Sequence, residues 1–332
     1  MPFWRKRLGL ELNDTLLKLV QVKQRHKSLE VQKVVAHPFP SIWSEDGIFI
    51  EEAGLIETIR EALAGHKFAS KKVHVAIHSR HVYIQKHQIP IMKKRKRKEW
   101  IQENLIPTLG LPVRNVTFDW YVIKRLDLEE LDEIMLVIAA KEYVNKLVRI
   151  IEKCGLEPIS LEVSALGLHR WLTHQMKDLS NHYLSIHVAL NGVELSCFKD
   201  GELQDVSFVA LEAPSFRHHF DQPPRDPLEP IMKDESEIEA YGKQLLEEMG
   251  PILSIWQKVL QWEPTQWVLT GDAIDLKQMQ SYLETQVGGK EMVIGPANRS
   301  VLSQTVKEQA SQWLGNAFSV PIGLLLKERS DK

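Results

Sequence analysis

Cysteines and long apolar runs are both scarce in this sequence. The only cysteines among its 332 residues are Cys154 and Cys197, which are too few for a disulfide framework and form no paired metal-ligand motif. No run approaches the roughly 20 apolar residues that cross a bilayer. The most apolar run, Ile134–Ala140, has the length of a buried strand. The basic start at residues 1–7 is not followed by the apolar segment of a signal peptide, so we expect a cytoplasmic protein.

Motifs of the common catalytic sites are also missing. The sequence contains no phosphate-binding GxxxxGKS or GxxxxGKT, no zinc-binding HExxH and no GxSxG nucleophile motif. Four histidines cluster in sequence, but they are joined by no cysteines and no pair of carboxylates, so we predict no metal site: His74, His78, His81 and His87. With 42 basic and 44 acidic residues the net charge is −2, which gives no general attraction to nucleic acid.

One segment is strongly charged, a basic run of six consecutive residues: Lys93, Lys94, Arg95, Lys96, Arg97 and Lys98. A solvated helix start is the simplest interpretation, but positive charge is unfavourable at that end of a helix. No aromatic residues alternate with the run, as a stacking surface for nucleic acid would require. An anionic membrane attracts nearby basic residues by ~1 kcal/mol each. We therefore expect peripheral contact with an anionic membrane, and no nucleic acid.

Alternating apolar and polar residues predict a three-stranded meander in each half of the chain. The predicted strands are residues 7–12, 15–23, 29–36, 183–188, 194–198 and 203–209. Each meander is followed by a predicted helix and a short buried strand, Val73–Ile77 or Trp267–Thr270. The Asn191-Gly192 and Asp200-Gly201 pairs are typical of hairpin turns. This pattern predicts an α/β protein with two lobes, each of the duplicated ribonuclease H-like type.

A further module interrupts the first lobe. Strands are predicted at 81–89, 116–124 and 134–140, with helices at 93–106 and 141–154. We therefore divide the chain into a first lobe at residues 1–180, an inserted subdomain at about 80–155, and a second lobe at 181–327. A long helix at 231–262, bent at Gly250-Pro251, is expected in the second lobe, followed by a helix at 274–286.

Several segments, taken in order, carry a family resemblance. Leu8–Val20 resembles the motif GLDIGSSSVKLV, Val137–Glu142 resembles "vlvaaKe", Cys154–Pro158 resembles "aGLeP", and Leu269–Gly271 resembles the start of "LtGGGa". These are motifs of the PilM family of actin-like type IV pilus assembly proteins. The resemblance implies a two-lobed actin-like fold, with an insertion in lobe one like that of the cell-division protein FtsA.

The resemblance also locates a nucleotide site, whose first phosphate loop is altered here. Glu11 stands where the family has aspartate, Asn13 replaces a glycine, and Asp14 and Thr15 fall at serine positions. Asp14 would place negative charge against a phosphate. Lys18 matches the family lysine, which reaches a phosphate, although a solvated strand lysine is the favoured interpretation.

The second phosphate loop and the adenine-side loop are altered further. His187 and Ala189 replace the aspartate and glycine of the second loop, while Gly192 leaves a competent turn. Glu194 fits an ordinary strand residue. Only Gly271 remains of the adenine-side glycines, since Asp272 and Ala273 follow it. We therefore expect a degenerate site, a pseudo-ATPase rather than an enzyme, and no cofactor, with ATP and Mg²⁺ disfavoured.

The function that the resemblance implies is that of an adaptor. Such a scaffold, peripheral at the inner face of the cell membrane, would bind the cytoplasmic tail of a PilN-like membrane protein and meet other assembly proteins of a type IV or competence pilus. The tail is expected in a groove between the first lobe and the insertion. Four residues could line it or equally form core: Trp100, Ile101, Leu105 and Tyr121. The alternative is an actin-like ATP-binding protein with residual ATPase or polymerising activity.

Overall fold

The computed structural model describes residues 5–13, 16–25, 28–38, 52–211, 226–272 and 274–327. The chain divides into two compact units. Unit 1 combines Met1–Arg80 with Val148–Lys332, and unit 2 is His81–Leu147.

The strands in the described ranges fall into three sheets. In chain order they are β1 (Arg5–Leu12), β2 (Leu16–Arg25), β3 (Ser28–Pro38), β4 (Lys72–Ile77), β5 (Val82–Pro90), β6 (Val116–Leu126), β7 (Leu131–Ala140), β8 (Glu157–Val163), β9 (Tyr183–Ala189), β10 (Gly192–Lys199), β11 (Glu202–Ala210), β12 (Gln266–Gly271) and β13 (Glu291–Ile294).

The α-helices in the described ranges connect or cover these sheets. They are α1 (Glu52–Leu63), α2 (Lys94–Trp100), α3 (Lys141–Lys153), α4 (Ser164–Gln175), α5 (Glu235–Val259), α6 (Leu276–Val287), α7 (Gln304–Gln309) and α8 (Ser319–Leu324). None of the helices in the described part of the chain is long and apolar enough to cross a membrane.

The two large sheets of unit 1 have the same topology. The first has the order β3-β2-β1-β4-β8 and the second the order β11-β10-β9-β12-β13. In each sheet the meander is antiparallel, and the strand beside its first member runs parallel to it. The same five-strand unit therefore occurs twice. The sequence predicted the meander and the buried strand beside it in each half, whereas β13 of the second sheet was not predicted.

Turn chemistry explains the second meander. Asp200 and Gly201 have φ of 56° and 76°, the left-handed pair of a tight hairpin that Asp-Gly favours. The other turn differs slightly from the prediction, because Leu190 and Asn191 are its central residues and Gly192 opens β10. A Cβ at Gly192 would lie 2.3 Å from the Val209 carbonyl oxygen, so close strand packing requires glycine there.

The predicted helices are present with changed ends. The helix expected over 93–106 is α-helical only as α2, and Ile101–Leu105 continues it as a π-helix. Helix α5 runs through Pro251 and begins after Asp234, whose side chain accepts two backbone N–H bonds. Asp275 caps α6 in the same way, so this helix starts at Leu276.

Helix α8 belongs to the first sheet although it follows the second in sequence. It packs on α4, β1, β2 and β4. A Cβ at Gly323 would lie 1.7 Å from the Gly167 carbonyl oxygen of α4, and one at Gly9 of β1 would lie 2.2 Å from the Pro321 carbonyl oxygen. Glycine at these points lets the helix approach its neighbours backbone to backbone. The last described helix thus completes the core that the N-terminal strands begin.

Candidate functional site

A cluster of charged side chains is buried in unit 1, where residues of β1, β2, β9 and β10 meet the end of β12. Lys18 of β2 is wholly inaccessible to solvent. Its Nζ atom lies 2.6 Å from the Asp272 carboxylate and 3.5 Å from that of Glu11. A charge buried at this depth requires partners, and these two acids provide them. The sequence-based interpretation of Lys18 as a solvated lysine is therefore wrong.

The protonation of Lys18 and Glu11 follows from burial and from their neighbours. Burial lowers the pKa of Lys18, but the charges of Asp272 and Glu11 together raise it above its ordinary value, so the lysine is charged. Burial raises the pKa of Glu11 by more than the charge of Lys18 lowers it. The nearby acids Asp272 and Glu194 raise it further, to about 7. Glu11 is therefore partly protonated at neutral pH, and Asp272 is the closer acid partner of the lysine.

His187 is held next to this pair as a neutral imidazole. Its Nδ1 lies 2.9 Å from the Thr270 hydroxyl, and its Nε2 lies 4.0 Å from the Glu11 carboxylate. Burial and then the charge of Lys18 lower its pKa to about 4. The imidazole is therefore uncharged at neutral pH, so Lys18 is the nearby cation for the surrounding carboxylates.

Glu194 is part of the same cluster, which the sequence analysis missed by treating it as an ordinary strand residue. It is 2% exposed and faces His187 across the β9–β10 pair. One carboxylate oxygen accepts hydrogen bonds from the Ser164 hydroxyl at 2.5 Å and the Ser79 backbone N–H at 3.2 Å. The available signal was its position as an acid between Val193 and Leu195, in a strand whose other residues before Lys199 are apolar or small.

The first hairpin turn is closed by Asn13. Its side-chain oxygen accepts a bond from the Leu16 N–H at 2.7 Å, and its own N–H donates to the Leu16 carbonyl at 3.2 Å. Asn13 thus stabilises the turn through its side chain.

Two predicted site residues, Asp14 and Thr15, lie outside the described residues. The predicted site residue Ala189 is the last residue of β9, the strand that also carries His187.

Gly271 is used for packing. A Cβ there would lie 2.2 Å from the Val188 carbonyl oxygen, and φ is 135°, so only glycine fits. Its backbone N–H donates to the Asn316 side chain at 3.1 Å. Asn316 in turn donates to the Gly295 carbonyl oxygen at 3.2 Å. The backbone N–H of Gly271 therefore already has a hydrogen-bond acceptor within the protein.

The chemistry of the cluster is that of an internal ion-pair network. One charged lysine is matched by Asp272 at contact distance and by Glu11 a little further away. A phosphate placed at Lys18 would lie close to these carboxylates, which already neutralise the lysine.

The basic run lies in unit 2, and one of its members is buried. Arg97 of α2 is 8% exposed and is bound to the Asp132 carboxylate, which is wholly buried. Arg125 donates to the same carboxylate at 3.0 Å. The prediction that Arg97 faces the membrane is therefore wrong, because a buried acid holds its guanidinium inside the unit. The other five residues are exposed: Lys93, Lys94, Arg95, Lys96 and Lys98.

The four groove candidates occupy different environments within unit 2. Ile101 is wholly buried in the hydrophobic core of the unit, next to Ile89 and Ile134. Trp100 and Leu105 are half-buried and pack against this core. Tyr121 is exposed on β6, an edge strand of the three-stranded sheet β5-β7-β6. Ile101 is thus a core residue, and Tyr121 is the candidate most accessible to a partner.

The clustered histidines serve local contacts. His74 lies 2.7 Å from the Ser160 hydroxyl and 3.0 Å from the Arg7 guanidinium, while His81 stacks on the Tyr143 ring at 4.0 Å. Within the described ranges, no three His, Cys, Asp or Glu side chains are grouped so that they could hold a metal ion.

Comparison with known proteins identifies the family. The family model for the type IV pilus assembly protein PilM matches residues 9–199, more than half of the chain. A search of curated protein sequences found no match. Among solved structures, a PilM-PilN type IV pilus biogenesis complex is similar with a TM-score of 0.71 and 21% identity, over 96% of this chain and 97% of that one.

A second solved structure shares the fold at a greater distance. The ethanolamine utilization protein EutJ from Carboxydothermus hydrogenoformans is similar with a TM-score of 0.53 and 13% identity, over 97% of this chain and 89% of that one. These likenesses and the repeated sheets confirm the predicted two-lobed actin-like fold. Together with the family match, they show that the chain belongs to the PilM family of type IV pilus assembly proteins.

Proposed function

We propose that this chain is an adaptor of type IV pilus assembly that binds the cytoplasmic tail of a PilN-like inner-membrane protein and does not hydrolyse ATP. The observation that carries the proposal is the family match over residues 9–199. The similar PilM-PilN structure supports the choice of partner, because that PilM protein is in complex with PilN. The adaptor would act at the inner face of the cell membrane.

The partner is expected to bind as an extended peptide. Strand β6 lies at an edge of its sheet, where main-chain groups can pair with an added strand. Tyr121 and Val122 are 38% and 39% exposed on this strand and could supply apolar anchors. A flexible tail loses conformational entropy when it is ordered, so a dissociation constant of about 1 μM is the expectation.

The pseudo-ATPase part of the proposal is supported by the buried cluster. Lys18 is held by Asp272 and Glu11, and the Gly271 N–H is held by Asn316. Binding of a phosphate would require breaking a buried ion pair, which costs about 3–5 kcal/mol. The internal network therefore disfavours nucleotide at physiological concentration.

Contact with the membrane is assigned to the exposed part of the basic run. At ~1 kcal/mol for each basic residue near an anionic surface, the five exposed side chains give a moderate attraction that salt would weaken. Such contact would place the adaptor near the tail of its membrane-anchored partner.

Two measurements test the proposal. Tail peptides of PilN-like proteins encoded near this gene are titrated calorimetrically into the full chain, with scrambled peptides as the control. Binding of none of the native tails would contradict the adaptor function. Titration with Mg-ATP is the second measurement, and a micromolar dissociation constant would favour the alternative, an actin-like ATP-binding protein.

A further inference from the structure

A lysine-rich groove of about 640 Å³ lies on unit 1, at the end of the first sheet away from the Asn13 turn. Its charged and aromatic lining consists of Lys6, Lys23, Lys33, Lys67, Glu30 and Phe68, which we call the lysine groove. The volume is within the range of ligand sites, roughly 300–1,000 Å³. None of the residues in the buried cluster belongs to the lining of this groove.

The borders of the lysine groove are attached to the sheet by defined hydrogen bonds. The Ala69 N–H donates to the buried side-chain oxygen of Gln21 at 2.7 Å, which fixes the loop carrying Lys67 and Phe68. The Ser303 N–H donates to the Val31 carbonyl at 2.9 Å, which fixes the segment before α7 along β3. The groove is therefore preformed, and a ligand does not have to order its borders.

The charge of the lysine groove is strongly one-sided. Among the described residues of its lining four are lysines and one is a glutamate, whereas the whole molecule carries a net charge of −2. Lys6 lies directly opposite Lys23 in the β1–β2 pair, and like charges in that position are destabilising. Glu30 faces Lys23 across the β2–β3 pair and offsets part of the positive charge. Lys6, Lys33 and Lys67 add positive charge beyond this pair, and their charge indicates an anionic ligand.

The form of the groove favours carboxylates on a chain over a flat anionic surface. A bilayer surface cannot follow a concave wall, whereas a side chain of an extended segment can enter it. Lysine ammonium groups act as separate point charges without the paired geometry with which arginine grips one phosphate. Phe68 is half-buried, with Lys33 Nζ at 5.7 Å from its ring centroid, and adds an apolar contact. We propose that the lysine groove binds an acidic, Asp- and Glu-rich segment of a partner protein.

The test measures binding of a fluorescein-labelled hexaglutamate peptide by fluorescence anisotropy. Because the basic run would also attract this probe, its five exposed members are first replaced by serine in the full chain: Lys93, Lys94, Arg95, Lys96 and Lys98. In that background the probe is expected to bind at low salt and to be released as salt rises, since exposed charges are screened within about 10 Å at 0.1 M.

The groove variant Lys6→Glu/Lys67→Glu reverses two exposed charges of the lining and should weaken binding about tenfold or more. The matched control Lys243→Glu/Lys258→Glu reverses two exposed lysines of α5 that do not line the groove, so it should change affinity by less than about twofold. Because both variants alter the net charge equally, a difference in affinity between them reports the groove and not the overall charge. Unchanged thermal melting of both variants shows that the fold is retained.

Three results would overturn the proposal. The first is equal binding of hexaglutamate to the groove variant and the control, and the second is no binding to the parent chain. The third is binding of phosphatidylserine vesicles that only the groove variant loses, without any peptide binding, which would make the groove a membrane site. None of these results depends on the PilN-like tail, so the proposed adaptor function is tested separately.

Discussion

Replacing Lys18 with methionine should destabilise the fold by about 3–5 kcal/mol, the usual cost of removing one partner of a buried ion pair. The lysine is wholly buried, and its Nζ lies 2.6 Å from Asp272 and 3.5 Å from Glu11. Methionine has a similar length and fills the space, so the loss reports the charge rather than a cavity. Asp272 would remain buried without its cation, and Glu11, already partly protonated at neutral pH, would lose the attraction that favours its charged form.

A surface pair of equal length provides the matched control. Lys290 Nζ also lies 2.6 Å from a carboxylate, that of Glu263, but the two side chains are 33% and 64% exposed. Water competes for both charges there, so Lys290→Met should cost less than about 1 kcal/mol. The two substitutions remove the same chemical group at the same distance and differ in burial.

A double-mutant cycle with Asp272→Asn separates the pair from its surroundings. The double variant should be more stable than the sum of the single losses predicts, with a coupling energy of about 1–3 kcal/mol. Urea unfolding followed by circular dichroism measures all of these changes. If Lys18→Met costs no more than Lys290→Met, or the two changes at Lys18 and Asp272 simply add, the buried pair does not stabilise this fold.

Three further predictions concern the other sites. Burial raises the pKa of Glu11 from 4.5 to about 7, so its contribution favours the folded state below pH 4.5 and is lost as the pH rises through about 7. The free energy of unfolding of Glu11→Gln should therefore rise by up to about 3 kcal/mol relative to that of the wild type between pH 4.5 and 7.5, measured by urea unfolding. A difference in unfolding free energy that stays constant over this pH range would contradict the raised pKa. Arg97→Met should cost about 3–5 kcal/mol by leaving Asp132 short of a buried partner, while Lys96→Met should be neutral in unfolding but should weaken binding to anionic vesicles. Tyr121→Glu should weaken binding of a PilN-like tail about tenfold in calorimetry with unchanged thermal stability, and an unaltered affinity would exclude the β6 edge.

Much of the fold could be predicted because its signals are local. The Asp200-Gly201 turn and the alternation along each meander specify elements from residues that are neighbours in sequence. Two repeats of the same order of elements then indicated the duplicated architecture. The ends of α2 were harder to predict, because the change to a π-helix at Ile101 depends on packing in the core of unit 2.

The buried charges could not be predicted because each depends on partners far away in sequence. Lys18 follows the alternation of its strand, and only the approach of Asp272 from the other sheet explains its burial. Arg97 was indistinguishable from its basic neighbours until Asp132 was seen beside it. Glu194 lies among apolar and small residues, and its bonds come from Ser79 and Ser164, on two other elements. The position of Glu194 in the buried strand β10 was the one local signal of a buried charge.

The position of α8 affects how the chain can fold during synthesis. The strands of the first sheet leave the ribosome first, but α8, which packs on Gly9 and Gly167, begins about 310 residues after Gly9 and about 150 residues after Gly167. Until then the surface that α8 covers stays open to solvent, and transient apolar surface of this kind favours aggregation. A fragment ending at residue 180 lacks this helix, so an isolated first lobe would keep the same surface uncovered. The first lobe therefore reaches its native state only after α8 has been made.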